Sequence, residues 1–118
     1  MITLLFSPLD PGDLALDGLE VVGPVETTGL LMDCHGFPVH QLGHPGPVKG
    51  HLHRIREEDR DMVLNALDLQ HDVMPSGIRR TITIIDGKPA WAYHWTNLTD
   101  MPVVVGGDWT AHRDARLL

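Results

Sequence analysis

The residues that could carry chemistry in this chain are a few carboxylates, imidazoles and guanidinium groups set among short apolar runs. Asp68 follows Leu64-Asn65-Ala66-Leu67 at the end of a helical pattern, where a carboxylate could accept a proton or simply face solvent. Arg79-Arg80 could hold a substrate carboxylate bidentately, with solvated edge-strand charge as the plainer use. His51-x-His53 would place two imidazoles on one face of a strand, but no third ligand stands at fixed spacing, so no metal site is expected. Cys34-His35 would point to opposite faces of an extended strand, which makes Cys34 a buried thiol rather than a nucleophile. The serines Ser7 and Ser76 lack a nucleophile-elbow context.

The elements that must position these groups follow from periodicity and turn residues. Ile2 to Phe6 is a compact apolar run halted by Pro8, Pro11 and Gly12, the pattern of a buried strand entering a loop. Leu19 to Val22, Val25 to Met32 and Phe37 to Leu42 read as short antiparallel strands, divided at Gly23-Pro24 and at Cys34-His35-Gly36. Gly43-His44-Pro45-Gly46-Pro47 is a turn cluster, and Val48 to Ile55 resumes a strand. The period changes at Glu57: Glu57, Glu58, Asp59 and Asp61 suit the positive end of a helix dipole. Met62, Val63, Ala66 and Leu67 then share one side of a helix of about three turns. A loop from Asp72 to Gly77 leads to a hairpin, Arg79 to Ile85 and Lys88 to Thr96, turning at Asp86-Gly87. Trp91, Tyr93 and Trp95 recur at period two and fill one strand face, and a Val103-Val104-Val105 run precedes Gly106-Gly107-Asp108-Trp109 and a polar end.

With 118 residues the chain is the size of one domain, residues 1–118, and its fold class is α+β. Its 9 basic against 16 acidic residues, a net charge of -7, disfavour nucleic acid and anionic lipid as partners. One cysteine forms no internal disulfide, no run approaches the roughly 20 apolar residues of a membrane span, and a cytoplasmic setting is expected.

Five of these pieces, in this order, resemble the gamma-glutamylcyclotransferase-like family. Phe6-Ser7-Pro8-Leu9 lies where that family has a Tyr-Gly-Ser-Leu loop, and Val48-Lys49-Gly50-His51-Leu52-His53 meets its Val-x-Gly-x-Leu-Tyr strand. Leu64 to Asp68 meets the helix ending Leu-Asp-x-x-Glu, Ala90-Trp91-Ala92-Tyr93 its Ala-Trp-x-Tyr strand, and Gly107-Asp108-Trp109 its closing Gly-Asp-Trp. The resemblance implies a small, mostly antiparallel, partly closed β-barrel with one main amphipathic helix. It also implies a cofactor-free reaction in which the α-amine of a γ-glutamyl group attacks its own γ-carbonyl, giving 5-oxoproline and a released amine. The base would be Asp68, and Phe6, Ser7, Pro8, Leu9 and Arg79 would bind the substrate. A second register, Leu67-Asp68-Leu69-Gln70-His71 on Leu-Asp-x-x-Glu, puts His71 at the base position instead.

Three departures touch the chemistry. Asp for Glu shortens the base by one methylene, about 1 Å, a displacement able to cost ~100-fold in rate. Ser7 replaces a glycine, and Pro8 replaces a serine and brings no N–H. A non-enzymatic relative that keeps the pocket for a small acidic ligand or a protein partner is therefore the alternative.

Overall fold

The Ile2–Phe6 run supplies β1 (Thr3–Ser7), which lies at the centre of a five-stranded sheet. In this computed structural model residues 2–14, 16–72, 78–96 and 101–116 are described. Along the chain come α1 (Pro11–Leu14), β2 (Leu19–Thr28), β3 (Leu30–Cys34), β4 (Phe37–Gln41), β5 (Pro47–Ile55), α2 (Arg60–Asp72), β6 (Ile78–Ile85), β7 (Lys88–Trp95) and α3 (Trp109–Arg116). The sheet order is β2-β5-β1-β7-β6, antiparallel throughout except where β1 meets β7. β3 and β4 pair separately as a hairpin. The architecture is the expected α+β, but the sheet is not closed: β2 and β6 are its edges, where full closure would have hydrogen-bonded them.

A central strand is covered on both sides, which is why β1 reads as an unbroken apolar run rather than an alternating one. Phe6 packs with Leu31, Val48, Ala90, Ala92 and Trp109 on one face. Leu5 packs with Ile55 and with Val63, Leu64 and Leu67 of α2 on the other. Residues 63, 64 and 67 thus form the buried stripe of α2, while Met62, expected on that stripe, is 57% exposed because it lies a further 100° around the helix. The acidic Glu57–Asp59 segment is a 3₁₀ turn leading into α2 rather than its first α-helical turn.

The Asp86-Gly87 and His35-Gly36 pairs both sit at positive φ, the geometry of a two-residue hairpin turn whose twist matches the strands it joins. Gly36 N–H donates to Asp33 Oδ1 at 2.7 Å and fixes the second of these turns. Three readings change. The Gly23-Pro24 break is a bulge within one long β2, tolerated because β2 is an edge strand. The stretch Val25 to Met32 belongs to two strands in different sheets, β2 and β3. The polar end forms α3, whose first turn is capped by Asp108 Oδ1 accepting from Ala111 N–H at 3.1 Å. The expected loop after α2 lies mostly outside the described residues.

Gly107 and Gly50 approach neighbouring backbone more closely than a residue with a Cβ could. A Cβ on Gly107, at φ 65°, would stand 1.8 Å from the Pro47 carbonyl oxygen, so the Gly-Asp-Trp segment abuts the start of β5. A Cβ on Gly50 would stand 2.3 Å from the Ser7 carbonyl oxygen and 2.7 Å from the Phe6 ring. Gly50→Ala should therefore destabilise the fold by roughly 1–3 kcal/mol through overpacking. Gly12→Ala, in α1 with open space around it, should stay within about 1 kcal/mol of the parent. Urea denaturation of the two variants checks this, and equal midpoints would refute the close-packing account.

Candidate functional site

The C-terminal end of β1 delivers Phe6, Ser7 and Pro8 to a cleft whose other walls are Leu67 and His71 of α2, Val39 and His40 of β4, and Tyr93 and Trp95 of β7. The cleft is narrow, with a cavity volume of about 30 Å³. Its walls are largely apolar, and its polar groups are a hydroxyl, two imidazoles, a phenol and an indole.

His71 is held from three directions. Its Nδ1 lies 2.7 Å from the Leu67 carbonyl oxygen, which can only accept, so Nδ1 carries the proton and the basic lone pair of the neutral ring is on Nε2. The ring stacks on Tyr93 with centroids 3.6 Å apart and planes 2° from parallel, and Phe37 meets it edge-on. Asp68 is not on the cleft wall. It sits one step outside, 39% exposed, with its Oδ1 accepting from Tyr93 O–H at 2.6 Å and lying 3.2 Å from Arg80 Nε. Tyr93 therefore joins the two residues that competed for the base position: its face supports His71 and its hydroxyl holds Asp68.

The loop after β1 is bonded within itself. Ser7 is buried, and its Oγ accepts from Leu9 N–H at 3.2 Å. Since Pro8 has no N–H, neither Pro8 nor Leu9 brings an uncommitted amide to the cleft. Leu9 itself does not line the cleft and packs, half-buried, between the two main apolar clusters. Arg79 is exposed and lies off the cleft, whereas its neighbour Arg80, on the opposite strand face, reaches Asp68 and lies 4.5 Å above the Trp91 ring.

His40 is the other cleft imidazole. It is buried, meets the Phe6 ring edge-on, and its Nε2–H donates to the Thr28 carbonyl oxygen at 3.1 Å. Burial pushes its pKa below 6.5, against a smaller upward pull from that hydrogen bond, so the ring is neutral. Burial also lowers the pKa of His94, whose Nδ1 accepts from Leu42 N–H at 2.9 Å, and of His53. His51 and His53 face different spaces, the first a second cleft beside Asp10 and the second a small cavity beneath α1. Among the described residues no group of three His, Cys, Asp or Glu side chains is arranged to hold a metal, and Cys34 is buried. No helix among them is long and apolar enough to cross a membrane.

An open α+β sheet with a lone hairpin and a cleft between the central strand and one helix is the class of fold defined here. It is shared by solved proteins of distant sequence: PH0828 of Pyrococcus horikoshii, with a TM-score of 0.72 and 15% identity over 98% of this chain and 96% of that one. YkqA of Bacillus subtilis superposes with a TM-score of 0.71 and 18% identity over 99% of this chain, which spans 43% of YkqA. The ytfP protein of Escherichia coli does so at 0.66 and 18% identity, over 91% of this chain and 96% of its own. The sequence matches no family model and no curated protein.

The buried imidazoles make stability depend on pH. The folded chain protonates His40 and His53 below the ordinary value of 6.5 that holds in the unfolded chain, so between the two values the unfolded state binds more protons. Their contribution is complete above about pH 7 and declines as pH falls through 6.5, with a slope of at most about 1.4 kcal/mol per pH unit for each ring. His40→Gln should flatten this decline in urea melts between pH 7.5 and 5.5; an unchanged slope would show that His40 is not one of its sources.

Proposed function

We propose that this chain is a gamma-glutamylcyclotransferase-like protein whose β1–α2 cleft closes a γ-glutamyl group to 5-oxoproline, with His71 rather than Asp68 taking the proton. The observation that carries this reading is the approach of His71 to the Phe6-Ser7-Pro8 segment across one cleft, with its basic nitrogen fixed as Nε2. In the reaction the α-ammonium of the substrate loses a proton to Nε2, and the amine attacks the γ-carbonyl carbon to form the C–N ring bond. The ring nitrogen gives up its second proton to solvent, and the tetrahedral centre collapses, breaking the C–N bond to the leaving group, whose nitrogen takes the proton from the imidazolium and departs as an amine that is protonated in solvent. Asp68 acts at one remove: through Tyr93 O–H it holds the ring on which His71 is stacked, so it is a positioning residue.

A second reading has its own support. With Pro8 lacking an N–H and Leu9 N–H bonded to Ser7 Oγ, the loop contributes little to an oxyanion, which suits a relative that binds a small acidic ligand without turning it over.

Release of 5-oxoproline from a panel of γ-glutamyl peptides and γ-glutamylamines separates the two. Turnover is expected, with His71→Gln lowering kcat at least ~100-fold, the usual scale for a lost general base. Asp68→Asn and Tyr93→Phe should each lower it about 10-fold with KM little changed, as loss of orientation does. An Asp68→Asn variant that is inactive beside a His71→Gln variant that works would reverse the roles. No turnover of any substrate, with saturable binding retained, would leave the second reading.

A further inference from the structure

Trp95 ends β7 at 2% exposure, packed with Met32, Cys34 and Val39, and is one of the residues that line the β1–α2 cleft. An indole N–H can only donate, and that of Trp95, itself buried, meets no acceptor among the described residues. The other buried nitrogens in that position differ in kind. His51 Nδ1 can serve as an acceptor, one nitrogen of His53 must carry a proton but that ring borders the small cavity beneath α1 and not this cleft, and Arg80 Nε lies 3.2 Å from a carboxylate. A buried donor left without an acceptor destabilises a fold by roughly 1–3 kcal/mol, and a phenylalanine would fill much of the same space without that penalty. The loop after β1 brings no free backbone amide to the same cleft, because Pro8 has no N–H and the Leu9 N–H is bonded to Ser7 Oγ. The surplus and the shortage border one space.

We propose that the indole N–H of Trp95 is the ligand donor of this cleft, hydrogen-bonding to the carbonyl oxygen of the bound acyl group in place of the loop amides. The inference rests on the cyclotransferase reading and adds to it the group that recognises the acyl oxygen. The ligand class follows: a small molecule with an amide or lactam carbonyl seated among apolar side chains, not a free carboxylate alone. Because the cleft is narrow, a ligand that reaches Trp95 must widen it, so binding and the indole contact arise together.

The test uses the full ¹⁵N-labelled chain, whose three tryptophans give three indole signals. Trp95→Phe assigns the relevant one, and should that variant not fold, Trp91→Phe and Trp109→Phe assign it by elimination. The probes are 5-oxoproline, 2-pyrrolidinone, which keeps the lactam carbonyl without the carboxylate, and proline, which keeps the carboxylate without the carbonyl. The Trp95 indole proton should move downfield with the first two and not with proline, and Trp95→Phe should weaken 5-oxoproline binding about 10-fold, the effect of one buried hydrogen bond. Saturable calorimetric binding of 5-oxoproline with an unmoved Trp95 signal would overturn this assignment and leave the cyclotransferase reading intact. An equal shift with proline would overturn the carbonyl assignment, and absence of both binding and turnover would overturn both readings.

Discussion

The contact on which the rest of this structure depends is the approach of β1 to β5 at Gly50. Because Gly50 has no side chain, the Phe6 ring and the Ser7 carbonyl settle against β5, and Phe6 can fill the core on the hairpin side while Leu5 fills it on the α2 side. A strand buried on both faces has little freedom to slide or rotate, since a one-residue slip would exchange its two faces. The exit of β1 is thereby fixed, and with it the place where Ser7 and Pro8 meet the end of α2. The glycine of β5 is thus as much a part of the cleft as the residues that line it, although it touches none of the empty space.

The site built on that frame is layered. Tyr93, half-buried on β7, faces α2 with both of its functional surfaces in use, its ring under His71 and its hydroxyl on Asp68. Outside it, Arg80 pairs with Asp68 while lying over Trp91, a partly exposed ion pair of the kind that contributes at most about 1 kcal/mol on its own. Its value is geometric: it keeps the carboxylate at the mouth, outside the cleft wall. The proposed base role of His71 fits that division, since Asp68 is already engaged by a phenol and a guanidinium.

Much of this frame was legible from residue pattern. The apolar run of β1, the Asp86-Gly87 turn and the acid-led helix all carry local signals, and all three elements form. The site was less legible because its deciding feature is direction. Residues 67 and 71 are one turn apart and share a helix face, while residue 68 lies about 100° around, so the choice between Asp68 and His71 depends on where β1 sits against α2. The arginine pair has the same ambiguity in a strand, where alternation sends Arg80 toward α2 and Arg79 away, and nothing local says which. Bulge and strand break look alike at Gly23-Pro24, and only the neighbouring β5 distinguishes them. The turn after β1 carries a further hidden feature, since the Leu9 N–H could face a ligand and instead donates to Ser7 Oγ.

The helix α3 shows most plainly why the remainder could not be read. Its residues 109–116 have low apolar content, and the groups that hold it lie at the other end of the chain. Arg113 pairs with both Asp10 and Asp13, and Thr110 Oγ1–H donates to Asp10 Oδ1 at 2.6 Å, across about 100 residues. That hydrogen bond, together with Arg113, also holds the Asp10 carboxyl below its usual pKa against the opposing effect of burial. These contacts bear on the site because Pro8 and Leu14, which flank Asp10 and Asp13, are part of the cleft wall. Gly50 fixes that wall from below, where β1 ends; α3 fixes it from beyond, where the chain turns into α1. A cleft this narrow leaves little tolerance in either anchor, so the position of the loop opposite His71 is set jointly by a glycine in mid-chain and an arginine near its end.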